Sequence, residues 1–340
     1  MSDKSANLRK WLTEQTGVAE SQLQIEPLAG DASFRSYFRL SIDSRSYVAV
    51  HAPPSMEDNL SFLKIQKLLE ENSIRVPEIR ADNLDFGYLL LEDLGDTHLY
   101  DRLSDQKYFD MALDLLLELA LVDISDGDLP SYSSAILASE LNIFPEWFLV
   151  EQLGLNLGTG ERDLIEEIFR CLIKNAQEQP KIFVHRDFHS RNIMCLNDIG
   201  CALIDFQDAV IGPITYDFVS LAKDCYIRRS PMEVEKYALQ FREKLIEKTL
   251  LPESSTDLEF LQWVDFMGLQ RHLKVLGVFS RLSLRDGKSS YLEHLPLVID
   301  YVVDTTFRYK GSEPLILEFN NWLEASVLPT VSTQPWMQPN

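Results

Sequence analysis

The densest chemistry in the chain lies in one segment, Val184-His-Arg-Asp-Phe-His-Ser-Arg-Asn-Ile-Met-Cys195, followed by Cys201-Ala-Leu-Ile-Asp-Phe-Gln207. Asp187 and Asn192 stand five residues apart, and Asp205 follows thirteen residues after Asn192. Two short apolar stretches, Ile193–Leu196 and Cys201–Ile204, flank the turn Asn197-Asp-Ile-Gly200 and are expected to pair as a hairpin. A hairpin returns its far end to its origin, which is expected to set Asp205 beside Asn192 and Asp187. Two carboxylates and an amide at a hairpin mouth suit Mg²⁺, which takes oxygen ligands and shares its coordination sphere with substrate phosphates. The pattern is that of phosphoryl transfer, with Asp187 to orient and deprotonate a hydroxyl, and Asn192 and Asp205 to hold metal. The triplet His185-x-Asp187-x-His189 also offers transition-metal ligands. No further His lies near it in sequence, so the hairpin context favours Mg²⁺.

These residues need a scaffold, and the hydrophobic pattern supplies one. Residues 7–17 form an amphipathic helix ending at Gly17, and a strand over Leu23–Leu28 runs into the loop Ala29-Gly-Asp-Ala-Ser-Phe-Arg35. Strands Ser36–Ile42 and Tyr47–His51 complete a meander, and Asn59–Glu71 is helical with Phe62, Ile65, Leu68 and Leu69 on one side. Val76–Ile79 and Gly87–Leu91 add strand before Glu92-Asp-Leu-Gly-Asp96 breaks the pattern. From residue 97 helical periodicity dominates (105–122, 160–178, 213–227, 231–249 and 257–282), interrupted by a β segment at 182–206. The expectation is an α+β, bilobal protein: a nucleotide-binding lobe over 1–96, a helical lobe over 97–328 carrying the catalytic loop and acceptor site, and a disordered tail over 329–340.

The 340 residues carry 32 Lys and Arg against 53 Asp and Glu, a net charge of −21. A field of that sign repels nucleic-acid backbones and anionic lipid, so neither is expected as a partner. It leaves room for a nucleotide, because a local cation or metal outweighs the global field. The richest apolar run, Ala112–Ile124, carries Asp114, Glu118 and Asp123 and reads as a buried helix, not a membrane span. The first ten residues lack the apolar centre of a signal peptide. Cys171, Cys195, Cys201 and Cys225 show neither CxxC spacing nor a disulfide framework, as expected of thiols in a cytoplasm.

The chain resembles the aminoglycoside phosphotransferase and choline-kinase-like branch of the protein-kinase fold, over roughly residues 20–310. The marks of that branch are His189 two residues after Asp187, Asp205-Phe-Gln207 in place of Asp-Phe-Gly, and Gly212-Pro-Ile-Thr-Tyr-Asp217. The resemblance implies a small antiparallel-sheet lobe and a larger helical lobe, with ATP and Mg²⁺ as cofactors. It also implies that Asp217 opens a helix and accepts backbone N–H groups of the catalytic loop, and that the backbone of Glu92 and Leu94 pairs with adenine. Phe34-Arg-Ser-Tyr-Phe-Arg39, Leu90-Leu-Glu-Asp-Leu-Gly95, Asp224-Cys-Tyr-Ile-Arg228 and Gln270-Arg-His-Leu-Lys-Val-Leu276 carry a narrower resemblance. It is to bacterial kinases of cell-wall recycling that phosphorylate the anomeric hydroxyl of N-acetylmuramate and N-acetylglucosamine. That implies a sugar 1-phosphate as product, an amino sugar and a nucleotide as small-molecule partners, and no obligatory protein partner.

The chain departs from the kinase pattern at the phosphates. The loop before the second strand has one glycine, Gly30, so the backbone around Ser33 would have to approach the phosphates without a glycine-rich cradle. Where kinases carry Val-Ala-Ile-Lys, this chain has Val48-Ala-Val-His51. Alternation puts Ala49, expected over the adenine, on one face with His51 in the lysine's place. Histidine is mostly neutral at pH 7, so another cation is needed: Arg39 first, then Arg35 or Lys64. Its acidic partner is Glu57, Glu70 or Glu71. His185 is expected to brace the loop, while His189 and Arg191 are candidates to touch the γ-phosphate or sugar. Asp208, Asp224, Arg228 and Arg271, with His272 and Lys274 nearby, are candidates for the acceptor, and a carboxylate-bearing acceptor favours an arginine. The open alternatives are an aminoglycoside or choline-like kinase and a non-catalytic nucleotide-binding pseudokinase.

Overall fold

The computed structural model describes residues 3–28, 34–42, 44–125, 129–196 and 200–337. Gly30 and Ser33 lie outside the described residues. The chain groups into two compact units, Met1–Ala112 with Arg191–Asp208, and Leu113–Ser190 with Ala209–Asn340. The α+β expectation holds, since a sheet-bearing N-terminal part is followed by a mainly helical remainder.

The first unit begins with α1 (Asp3–Thr16) and β1 (Gln24–Pro27). β2 (Ser36–Ile42), β3 (Arg45–His51), α2 (Asn59–Glu71), β4 (Ile79–Asn83) and β5 (Tyr88–Glu92) follow. The strands form one antiparallel sheet in the order β1-β2-β3-β5-β4. Because strand side chains alternate, Leu40, Ala49, Tyr88 and Leu90 share a face, which Leu8, Trp11 and Leu12 of α1 close into a core. The hairpin predicted from sequence is present as β7 (Ile193–Cys195) and β8 (Cys201–Leu203), registered Ile193↔Leu203 and Cys195↔Cys201. It belongs to this unit and not to the helical part. The Cys195 N–H bonds Thr97 O at 2.8 Å, and the Leu203 N–H bonds Arg75 O at 2.9 Å. Hydrogen bonds distant in sequence thus outweigh the chain position that suggested a boundary at residue 97.

The second unit contains most of α3 (Gln106–Ala120), then α4 (Ser134–Leu141), a π-helical stretch Phe144–Gln152, and α5 (Thr159–Glu178). β6 (Lys181–Val184) and β9 (Val210–Pro213) pair antiparallel, with Val184 opposite Val210. That pairing shortens the helix expected over 213–227 to α6 (Tyr216–Ala222). α7 (Pro231–Glu247), the 30-residue α8 (Asp257–Asp286), α9 (Leu295–Tyr309), α10 (Pro314–Trp322) and α11 (Leu328–Val331) complete the unit. Phe266, Leu269, Leu273, Leu276 and Phe279 of α8 form the middle of its core, with Phe144, Phe148, Ile168, Val298 and Phe319 around them. The disordered tail expected over 329–340 is corrected for the described residues 329–337. Val331 is buried, and Trp336 and Met337 pack against this core. Among the described residues no helix is long and apolar enough to cross a membrane.

One close approach sets α8 against the junction between α4 and the π-helical stretch. A Cβ built on Gly277 would lie 2.5 Å from the Ile143 carbonyl carbon, so only glycine lets these backbones meet there. Lys274 lies about one turn before Gly277, and Glu140 about one turn before Ile143, so the same contact brings those two charged side chains together. Gly277→Ala is expected to destabilise the fold by about 1–3 kcal/mol, measured as a lower urea midpoint at unchanged slope. An unchanged midpoint would show that the helices separate freely.

Candidate active site

In the second unit, β6 delivers the chain into the loop His185–Ser190. β9, hydrogen-bonded beside β6, runs on through Ile214 and Thr215 into α6. That topology places Asp217, buried near the start of α6, against the loop: its carboxylate accepts the His185 N–H at 2.6 Å and the Arg186 N–H at 3.1 Å. Burial pushes the Asp217 pKa up to about 7, against the two N–H donors that favour the ionised form. Asp224 closes the loop's other end, accepting the N–H groups of Ser190 and Tyr226, each at 2.9 Å. His185 is fully buried, and its Nδ1 accepts the Asp187 N–H at 3.3 Å.

Asp187 is half-buried between these supports. Burial alone would raise its pKa, but the charges of Lys274, His189, Arg271 and Arg186 outweigh that and hold the carboxyl down at about 2. The His189 ring packs edge-on to Tyr226, centroids 5.4 Å apart. Arg271 is buried on α8, with its Nε donating to Ser220 Oγ at 2.6 Å. Arg228 is ion-paired to Asp300 at 3.0 Å and to Asp304 at 2.5 Å. Asp224 and Arg228, expected at the acceptor, are thus engaged in holding the loop and in a surface ion pair. His272 is fully buried, its ring stacked on Tyr301 with centroids 4.6 Å apart.

The first unit carries the metal candidates. The hairpin returns Asp205 to Asn192, with Nδ2 and Oδ2 3.4 Å apart, and the Gln207 amide donates to Asp205 Oδ1 at 2.8 Å. Asp205 has φ +63°, a left-handed conformation that costs energy in a non-glycine residue and turns the chain sharply at the hairpin mouth. Among the described residues no group of three or more His, Cys, Asp or Glu side chains is arranged to hold a metal ion. The Asn192 amide and the Asp205 carboxylate offer oxygen donors of the kind Mg²⁺ takes, with water and phosphate able to complete its coordination. Arg191 lies over the Tyr100 ring at 5.3 Å, and its carbonyl meets His98 Nδ1 at 2.7 Å. Asp208 is exposed at the end of this unit.

The cations separate clearly. Arg39 is gripped by Asp93 at 2.7 and 3.0 Å and by Asp96 at 2.8 Å, acids in the segment after β5. Arg35 is buried, pairs with Glu57 at 3.0 Å, and lies over the Phe62 ring at 5.2 Å. Phe62 stacks on Phe206, the neighbour of Asp205, at 4.9 Å. The Tyr37 hydroxyl, its pKa raised mainly by burial, feels the charges of both Arg35 and Asp205. Glu57, not Glu70 or Glu71, is therefore the acid that meets an arginine here. Ala49 and His51 do share a face, but it is the one that α1 covers. Ala49 is fully buried in that core, and His51 packs its ring against Tyr88 at 5.4 Å. The Glu92 side chain pairs with Arg75 at 2.5 and 2.8 Å, and Leu94 is half-buried just beyond it.

Glu140 escaped the sequence analysis altogether. It is buried on α4, accepts hydrogen bonds from the Tyr132 hydroxyl and Arg186 Nη2, and meets Lys274 Nζ at 3.0 Å. No motif or spacing marks it, because its three partners come from three separate segments of the chain.

A family model described as the phosphotransferase enzyme family matches residues 24–248. The chain is 40% identical over 283 residues to an N-acetylmuramate/N-acetylglucosamine kinase of Pseudomonas aeruginosa, covering 82% of each. It is 36% identical over 319 residues to a kinase of the same name from Neisseria meningitidis serogroup B, covering 92% of this chain and 94% of that one. Among solved structures, a choline kinase from Cryptosporidium parvum superposes with a TM-score of 0.64 at 14% identity, covering 94% of this chain and 99% of that one. A spectinomycin phosphotransferase in complex with ADP and spectinomycin gives a TM-score of 0.64 at 14% identity, covering 88% and 98%. Those two likenesses establish a shared kinase-like fold. With the match across residues 24–248 and these identities over most of its length, the chain belongs to the phosphotransferase enzyme family.

Proposed function

We propose that this protein transfers the γ-phosphoryl group of ATP to the anomeric hydroxyl of N-acetylmuramate and N-acetylglucosamine. The observation that carries the acceptor is the name borne by relatives 40% and 36% identical over most of the chain. The retained Asp187, Asn192 and Asp205 support catalysis over a purely binding role. The sugar oxygen forms the new bond to phosphorus, the bond from phosphorus to the β–γ bridging oxygen breaks, and ADP leaves with that oxygen. Asp187 accepts the proton of the attacking hydroxyl. Mg²⁺, when bound, supplies positive charge to the phosphate oxygens, and the Asn192 amide oxygen and Asp205 carboxylate would hold it. The transition state is loose, so positioning and charge neutralisation carry most of the rate.

Arg35 is the cation that takes over from the absent strand lysine. Its pairing with Glu57 and its closeness to the Tyr37 hydroxyl that Asp205 also influences support it, whereas the charge of Arg39 is spent on two aspartates. On the acceptor side, Arg271 is the candidate for the sugar: its Nη1 finds no hydrogen-bond partner among the described residues. The backbone of Glu92 and Leu94 is assigned to the adenine. The four cysteines form no disulfide among the described residues, which supports a cytoplasmic setting.

Acceptor-dependent ADP release is the direct test, comparing the two amino sugars with kanamycin and choline; turnover confined to the last two would replace the acceptor. Asp187→Ala is expected to lower kcat roughly 10²- to 10⁴-fold while ATP binding is kept, and near-normal turnover would remove the base assignment. With its carboxyl held at about 2, Asp187 is ionised at every pH where the enzyme is assayed. Asp187 therefore contributes no limb to kcat at saturating Mg²⁺-ATP between about pH 5.5 and 8. A limb near pH 7 is expected from Asp217, whose carboxylate holds the loop, and it persists in the residual turnover of Asp187→Ala. A limb in that window that disappears in Asp187→Ala would contradict this. Arg35→Met is expected to cost roughly 100-fold in kcat/KM for ATP, and Arg39→Met far less; the reverse order would return the role to Arg39.

A further inference from the structure

Arg186 is pinned at both ends. Its backbone N–H lies on Asp217, its guanidinium donates to Glu140 and covers the Tyr132 ring at 5.5 Å, and its own φ is +75°. A left-handed arginine persists only where the surroundings over-determine it, and the next residue in the chain is Asp187. Glu140 is the common element of these surroundings. It binds Arg186, Lys274 and the Tyr132 hydroxyl, while Lys274 Nζ reaches the Tyr216 hydroxyl at 3.5 Å. The Tyr132 and Tyr216 rings pack edge to face at 5.3 Å, and Tyr216 directly precedes Asp217. One buried carboxylate thus ties α4, α8, the start of α6 and the catalytic loop into a single hydrogen-bonded network, in which each buried charge has a partner.

We propose that Glu140 is a positioning residue for Asp187: it holds Arg186 in the turn that aims the Asp187 carboxylate, and it fixes Lys274 as the cation facing that carboxylate. The proposal rests on Asp187 being the base. The charge balance agrees with it. Arg186, Lys274 and Arg271 gather around two anions, Glu140 and Asp187, and the attraction of Lys274 and Arg186 overcomes burial to keep Glu140 ionised. Glu140→Gln keeps the shape but removes the charge, and an amide oxygen cannot serve three donors as a carboxylate does.

The test measures kcat, KM for Mg²⁺-ATP and melting temperature for Glu140→Gln, alone and in the Asp187→Ala background. Alone, kcat is expected to fall roughly 10- to 100-fold with KM for Mg²⁺-ATP changed less than about twofold. In the Asp187→Ala background the same change is expected to alter residual turnover by less than about twofold, because a residue acting through Asp187 has nothing left to position. Unchanged kcat in Glu140→Gln, or an equal loss in both backgrounds, overturns the proposal. Should Glu140→Gln show no cooperative melting, Tyr132→Phe decides. This variant removes one donor to Glu140 and no charge, and an unchanged kcat there overturns the proposal, whereas a drop of about 3- to 10-fold at constant KM upholds it. Undiminished turnover in Asp187→Ala alone would sink the base assignment and this proposal together; a loss there with none in Glu140→Gln sinks this proposal only.

Discussion

Two consecutive backbone N–H groups, those of His185 and Arg186, end on the one carboxylate of Asp217. The rest of the site depends on that constraint. A loop leaving a buried strand carries donors that cannot be left unpaired. Here they are gathered by a side chain whose own place is set by the β6–β9 ladder, since β9 leads directly into the helix that bears Asp217. The same device recurs at the loop's exit, where Asp224 takes the N–H groups of Ser190 and Tyr226. Between these anchors the backbone has little freedom, and Asp187 is held by its neighbours' hydrogen bonds.

The electrostatics run opposite to the composition. A chain of net charge −21 surrounds its candidate base with Lys274, Arg271 and Arg186, and keeps Arg35 with Glu57 near Asp205 in the other unit. Buried charges at short range count for far more than exposed ones screened by salt, so the global field does not govern the site. The few buried cations, and not the acidic total, set the field at the loop.

Much of this was legible in the sequence wherever the physics is local. The Asn192–Asp205 hairpin follows from two apolar stretches around a polar turn, and the meander strands from alternation. What was missed depends on contacts between distant segments. The tail beyond residue 329 is one case, since Val331, Trp336 and Met337 pack onto a core whose other members lie far away in the chain. Alternation correctly put Ala49 and His51 on one face, but only the packing of α1 shows that this face is covered. Asp93 and Asp96 meet Arg39 from 54 and 57 residues further along the chain, and Glu140 has no signal in sequence because its partners are Tyr132, Arg186 and Lys274.

Phosphorus NMR of the product formed from Mg²⁺-ATP and N-acetylglucosamine tests the central claim most directly. One sugar phosphate is expected, coupled to the anomeric proton and released as inorganic phosphate by mild acid. An acid-stable phosphomonoester on another hydroxyl of the sugar would contradict it, since the Asp187 carboxylate would then be serving an alcohol and not the anomeric oxygen.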